Sequence, residues 1–152
     1  MIERIHHAGV TVKDLDRSIA FYCEALGLTL LSRRDGIEAE YVRGLIGHPD
    51  AVLDVAFVGA DPANRIELVH YAAAGADPVR PELNTAGGTH LALTASDLDT
   101  VVDRIRAHGG QLVSDPQTAT SGPNAGARFV FCRDPDGALV ELVQPAPAGN
   151  QG

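Results

Sequence analysis

One line of this sequence is written twice. HHAGVTVKDLDRS (His6 to Ser18) and THLALTASDLDT (Thr89 to Thr100) fall into step when His7 is laid on His90, an offset of 83 positions (90 minus 7). Val10 then meets Leu93, Thr11 meets Thr94, and Asp14, Leu15 and Asp16 meet Asp97, Leu98 and Asp99. The likeness continues down a helical pattern. Leu15, Ile19, Tyr22 and Leu26 recur at helical spacing in the first copy, and Leu98, Val101, Val102 and Ile105 do so in the second. Asp14 and Asp97 are the expected N-caps, and Gly27 and Gly110 the expected glycine stops. A strand, turn, helix and stop repeated in register means that one supersecondary unit is built twice.

The remainder of each half reads as strands: 28–33, 38–43, 52–58 and 65–71 in the first, 111–113, 128–132 and 138–143 in the second. GHPD, GADPAN and DPDG separate them as turns. These boundaries predict an α+β protein. A first βαβββ module spans 1–71, an Ala/Gly/Pro-rich linker 72–88, a second module 89–145 and a disordered tail 146–152, the whole forming one domain. Neither half has much core alone. Paired edge to edge, the two would curl a mixed sheet into a cup, with the helices on its convex side.

Composition narrows the partners. The net charge of −8 and the lack of any basic run longer than Arg33-Arg34 argue against nucleic acid and anionic membranes. No apolar run approaches the ~20 residues needed to cross a bilayer, and the N-terminus shows no signal-peptide core. Cys23 and Cys132 lack metal-type spacing and read as small buried hydrophobes of a cytoplasmic protein.

Strand alternation then selects the chemistry. In the first strand His7, Gly9 and Thr11 oppose Ala8, Val10 and Val12; in its counterpart His90, Ala92 and Thr94 oppose Leu91 and Leu93. The apolar face meets the helices, so each histidine looks away from them. Glu67 between Ile66 and Leu68, and Glu141 between Val140 and Leu142, follow the same rule. Alone, each is an ordinary solvated side chain. Two imidazoles and two carboxylates converging in a cup are costly unless a cation compensates them. The set suits a divalent metal, with two open positions on an octahedral ion for water or substrate.

IHHAGVTVKDLDRSIAFYCEALGL resembles the opening of the vicinal-oxygen-chelate proteins, the glyoxalase/bleomycin resistance/dioxygenase superfamily. RIELVHY, GTHLALTASDLD and DPDGALVELVQP resemble its later landmarks in the same order. The resemblance implies that His7, Glu67, His90 and Glu141 bind a divalent ion (Ni, Co, Zn, Fe or Mn), with His6 not a ligand. It also implies a small-molecule substrate, such as a thiol adduct or thioester, and a homodimer. Glyoxalase I of bacterial type carries this His/Glu/His/Glu set. Methylmalonyl-CoA epimerase usually has Gln at the Glu67 place, and ring-cleaving dioxygenases and thiol transferases lack that ligand. Drug-sequestering resistance proteins generally lack the quartet. The expected function is therefore metal-dependent proton transfer alpha to a carbonyl through an enediolate, of the lactoylglutathione lyase type, with methylmalonyl-CoA epimerase-like epimerisation as the alternative and, from other classes, a small-molecule-binding resistance protein without catalysis or an extradiol-type dioxygenase. Glu141 is the expected base, with Glu67 a ligand and second candidate base. Arg33 or Arg34 could meet an anionic cofactor group, the loop Thr120–Gly126 could cover the site, and His48, His70 and His108 read as surface residues.

Overall fold

A computed structural model of the chain describes residues 1–72 and 80–147. It divides into two compact units, Met1–Pro78 and Val79–Gly152. The fold is α+β, with one mixed sheet in each unit. Parts of the expected linker and tail, 73–79 and 148–152, lie outside the described residues.

In the first unit, β1 (Ala8–Val12) runs parallel to β4 (Asn64–Tyr71), and β3 (Leu53–Asp61) lies antiparallel between β4 and β2 (Thr29–Ile37). Helix α1 (Leu15–Ala20) begins at Asp14, whose side chain accepts the Arg17 N–H at 2.9 Å, the expected cap. Its last turn is π-helical, Phe21–Ala25. Phe21, Tyr22 and Ala25 are buried there, together with Ala56, Val58, Ile66 and Leu68 of the sheet.

That π turn corrects the repeat. The left-handed glycine ending the first helix is Gly27 (φ 76°), but in the second unit it is Gly109 (φ 81°), not Gly110. Asp14 to Gly27 is one residue longer than Asp97 to Gly109. A π turn accommodates one added residue without losing the helix, and it turns two aromatic rings into the core.

The stretch 38–43 is a second correction. It is not a strand, because the chain there forms helix α2 (Glu40–Ile46), ending at Gly47 with φ 70°. Its apolar residues Tyr41/Leu45 and Val42/Ile46 are spaced by four, a helical period that the polar–apolar alternation of 38–41 masks. No α2 residue is buried. Arg43 fastens the helix to the Ala51 carbonyl at 2.9 Å and to Glu38 at 3.3 Å.

In the second unit, β5 (His90–Thr94) runs parallel to β9 (Leu139–Gln144), which pairs antiparallel with β8 (Arg128–Arg133). The two-residue strands β6 (Gln111–Leu112) and β7 (Gln117–Thr118) both pair with β8. Helix α3 (Leu98–Ala107) is capped by Asp97 through the Thr100 N–H at 3.1 Å and the Thr100 hydroxyl at 2.6 Å. Those two bonds hold the Asp97 carboxyl below its ordinary pKa. Leu98, Val102 and Ile105 share the core with Val130, Cys132, Val140 and Leu142. Burial pushes the Cys132 thiol up to about 12 and raises the half-buried Cys23, so neither is a ready nucleophile. Residues 80–82, expected as linker, are fastened to this unit: Arg133 donates to the Pro81 carbonyl at 3.0 Å. No helix among the described residues is long and apolar enough to cross a membrane.

Candidate functional site

Each carboxylate-bearing strand is launched by a turn that an aspartate builds. Asp61 accepts the N–H groups of Ala63 (2.7 Å) and Asn64 (3.0 Å) ahead of β4, and the Asn64 side chain, the strongest contributor, joins them in lowering the Asp61 pKa. Gly59 is required opposite: a Cβ there would stand 2.3 Å from the Asn64 carbonyl oxygen. Buried Asp134 accepts the N–H groups of Asp136 (3.0 Å) and Ala138 (2.8 Å) ahead of β9. Gly137 closes that turn at φ 97°. The DPDG segment is thus the turn expected of it.

Register does the rest. Glu67 pairs with Gly9 on one side and Phe57 on the other, while Glu141 pairs with Ala92 and Phe131. Each histidine stands two residues ahead of the partner of its glutamate, on the same face. His7 Nε2 lies 3.2 Å from Glu67 Oε2, and His90 Nε2 lies 3.3 Å from Glu141 Oε2. Phe57 braces His7 edge to face at 5.7 Å between centroids, and Phe131 braces His90 at 5.2 Å. All four polar side chains keep contact with solvent, the glutamates at 26% and 20% exposure.

The expected quartet is therefore brought together as two pairs. Among the described residues no group of three or more His, Cys, Asp or Glu side chains is gathered to hold an ion. The donors of each pair suit a metal. Two ligands at ~2.1 Å from one divalent ion, 90–110° apart, stand about 3.0–3.4 Å from each other, the spacing seen in both pairs. Imidazole with carboxylate is also a borderline-soft donor set that first-row divalent ions take.

The first pair has backing that the sequence did not reveal. His6 Nδ1 lies 2.7 Å from His7 Nδ1, and Arg65 Nη2 donates to His6 Nε2 at 2.9 Å while its guanidinium stacks on Phe57 at 4.8 Å. A guanidinium only donates, so neutral His6 carries its proton on Nδ1, and His7 Nδ1 accepts it. This bonding network assigns the proton of neutral His7 to Nε2, facing Glu67. Phe57 and Phe131 were also missed. Their signal was present: both stand ten residues before their glutamate, so the offset relating Glu67 to Glu141 relates them too.

Of the remaining candidates, Arg33 is bound to Asp16 on α1 and to Asp35 at 2.9 Å, away from the His7 face. The segment Thr120–Gly126 closes as a hairpin connection through bonds between Ala119 and both Gly126 and Ala127. His48 is exposed against Tyr71, whereas His70 is half-buried and contacts the Val12 carbonyl at 3.3 Å, so it is not a free surface residue.

Comparison with known proteins agrees on the kind of molecule. A family model described as the Glyoxalase/Bleomycin resistance protein/Dioxygenase superfamily matches residues 4–142. A protein of Actinomyces sp. named 2-epi-5-epi-valiolone epimerase is 34% identical over 148 residues, covering 95% of this chain and 80% of that one. A protein of Synechocystis sp. named probable lactoylglutathione lyase is 34% identical over 139 residues, covering 91% and 92%. The crystal structure of a glyoxalase family protein from Bacillus cereus superposes with a TM-score of 0.82 at 25% identity, covering 97% of each chain.

Proposed function

We propose that this chain, which belongs to the glyoxalase/bleomycin resistance protein/dioxygenase superfamily, is an enzyme that moves a proton at a carbon alpha to a carbonyl, using one divalent ion held by His7, Glu67, His90 and Glu141. The observation that carries this reading is the duplicated His–Glu pair, with donor spacings of 3.2 and 3.3 Å on matching strands. The substrate class is a thiol adduct of a 2-oxoaldehyde, in keeping with relatives named lactoylglutathione lyase.

Bound there, a divalent ion would supply Lewis-acid polarisation of the carbonyl and offset the charge that develops when the proton leaves. The chain's own residues do the remainder. Glu141 takes the proton from the alpha carbon and returns it at the neighbouring carbon or on the opposite face. Glu67 keeps its oxygen as a ligand. Phe57 and Phe131 hold the imidazole planes, so that neither ring swings out of the ligand position.

Epimerisation uses the same first step, and the relative named 2-epi-5-epi-valiolone epimerase favours it as the second reading. Two measurements test the proposal: metal content of the purified protein, and solvent deuterium incorporation at the alpha carbon of candidate hemithioacetals and thioesters. About one divalent ion per chain together with exchange supports proton transfer. Isomerised product then marks the lyase, and inverted substrate the epimerase. A folded protein that takes no metal and catalyses no exchange overturns the reading in favour of a binding module. Oxygen-consuming cleavage of a catechol with Fe(II) moves it to the dioxygenases. The homodimer and the cytoplasmic location belong to the same proposal and are checked by sedimentation and by cell fractionation.

A further inference from the structure

Two adjacent arginines on β2 have opposite fates. Arg33 pairs across the sheet with Ala56, and Ala56 with Leu68, both fully buried. That is the helix side, and Arg33 meets Asp16 of α1 there. Arg34 pairs with Val55, Val55 with Val69, and Val69 with Thr11. Directly paired residues share a face, and Val69 stands two residues after Glu67, so Arg34 presents to the face of His7 and Glu67. Two strand spacings across and two residues along put the two backbones about 12 Å apart. Arg34 is exposed, and among the described residues it has no ion-pair or hydrogen-bond partner. The other arginines on these sheet faces are engaged: Arg65 by His6 and Phe57, and Arg133 by the Gly137 and Pro81 carbonyls. Between Arg34 and Glu67 the floor is Val55, Phe57 and Val69, all half-buried.

We infer that Arg34 is the specificity-determining residue for the non-reacting arm of the substrate, binding an oxyanion, carboxylate or phosphate, while the reacting carbons lie at the Glu67 end. The assignment rests on the proposed function for the place of the reacting carbons. The apolar floor accepts the uncharged middle of such a substrate, and the planar guanidinium fork gives a terminal oxyanion two parallel donors.

The test measures calorimetric Kd values on the full-length protein with three unreactive thioethers: S-methylglutathione, its dimethyl ester and S-methyl-coenzyme A. Wild-type protein should prefer an anionic probe to the neutral diester. Arg34→Gln should weaken that probe about 10-fold and leave the diester unchanged, with a smaller loss for Arg34→Lys and none for Arg33→Gln. The probe that shows the loss identifies the oxyanion as carboxylate or phosphate. Wild-type affinity of Arg34→Gln for all three probes overturns the inference, as does an equal loss in Arg33→Gln. Metal content and deuterium exchange on the same samples keep the two questions apart. Metal-loaded protein that exchanges without any Arg34 dependence loses the inference and keeps the function. Arg34-dependent binding by protein that takes no metal and shows no exchange keeps the oxyanion contact and loses the chemistry.

Discussion

The two units carry the same pair on the same strands, yet they surround it differently. In the first, His7 is backed by His6, His6 by Arg65, and Arg65 lies over Phe57. In the second, Thr89 stands at the His6 place and Leu139 at the Arg65 place, and the His90 ring meets Glu141 and Phe131. The first face carries Arg34, which has no partner among the described residues, whereas the second is floored by Phe129, Phe131 and Val143. Duplication kept the histidine–glutamate pairs and let the surroundings diverge.

The two carboxylates should differ most. Glu141→Gln keeps an oxygen donor but removes the base, so kcat should fall ~10²–10⁴-fold with metal content little changed. Glu67→Gln should keep both metal and part of the turnover. The reverse outcome, in exchange kinetics on metal-quantified samples, assigns the base to the first half. Next in size is metal loss. If one ion takes both pairs, His7→Ala and His90→Ala should each lose most of the metal by elemental analysis. Retention of half in each variant would mean two separate ions.

A smaller effect sharpens the difference in backing. His7 can give its Nε2 lone pair to a metal only with its proton on Nδ1. His6 must then accept at Nδ1, protonate at Nε2 and leave Arg65. Arg65→Ala should therefore tighten metal binding, and His6→Ala should weaken it by about 10-fold or more, in competitive titrations with a chelator. Equal and parallel changes would remove the relay from the account.

The smallest effect is a pH dependence. Asp97 and Asp99 of the second unit are held below their ordinary pKa by Thr100 and by Arg128, and Asp61 of the first by the Asn64 side chain first and then by its turn N–H groups. Depressed folded values mean that their stabilisation is present above the unfolded carboxylate value, near 3.8, and is lost as pH falls through the lower folded one. Thr100→Ala should return the Asp97 titration toward its ordinary value, followed by carbonyl NMR, and soften α3 above that value, with the difference from wild type vanishing in acid and α1 unaffected.

Much of the site was readable because its determinants are local. The capping aspartates act on N–H groups two or three residues ahead, the turn aspartates on the next few residues, and alternation along one strand fixes which face His7, Glu67, His90 and Glu141 take. What failed was also local in scale but ambiguous in period. The stretch 38–43 satisfied a strand pattern over a few residues and a helical one over a longer window, and the added residue that makes the π turn is invisible until both helices are laid side by side.

Backbone periodicity and nearest-neighbour hydrogen bonding were enough to show that one unit is built twice, where its two repeated helices begin, and which four side chains leave the apolar faces. The packing of the whole sheet placed Phe57 and Phe131 against the imidazoles, set His6 and Arg65 behind one of them, and tied Arg33 to a helix while leaving Arg34 exposed and, among the described residues, without a partner. Those outcomes depend on which residue lies opposite on the neighbouring strand, and register between strands is set by the packing of the whole sheet rather than by any stretch of chain within it.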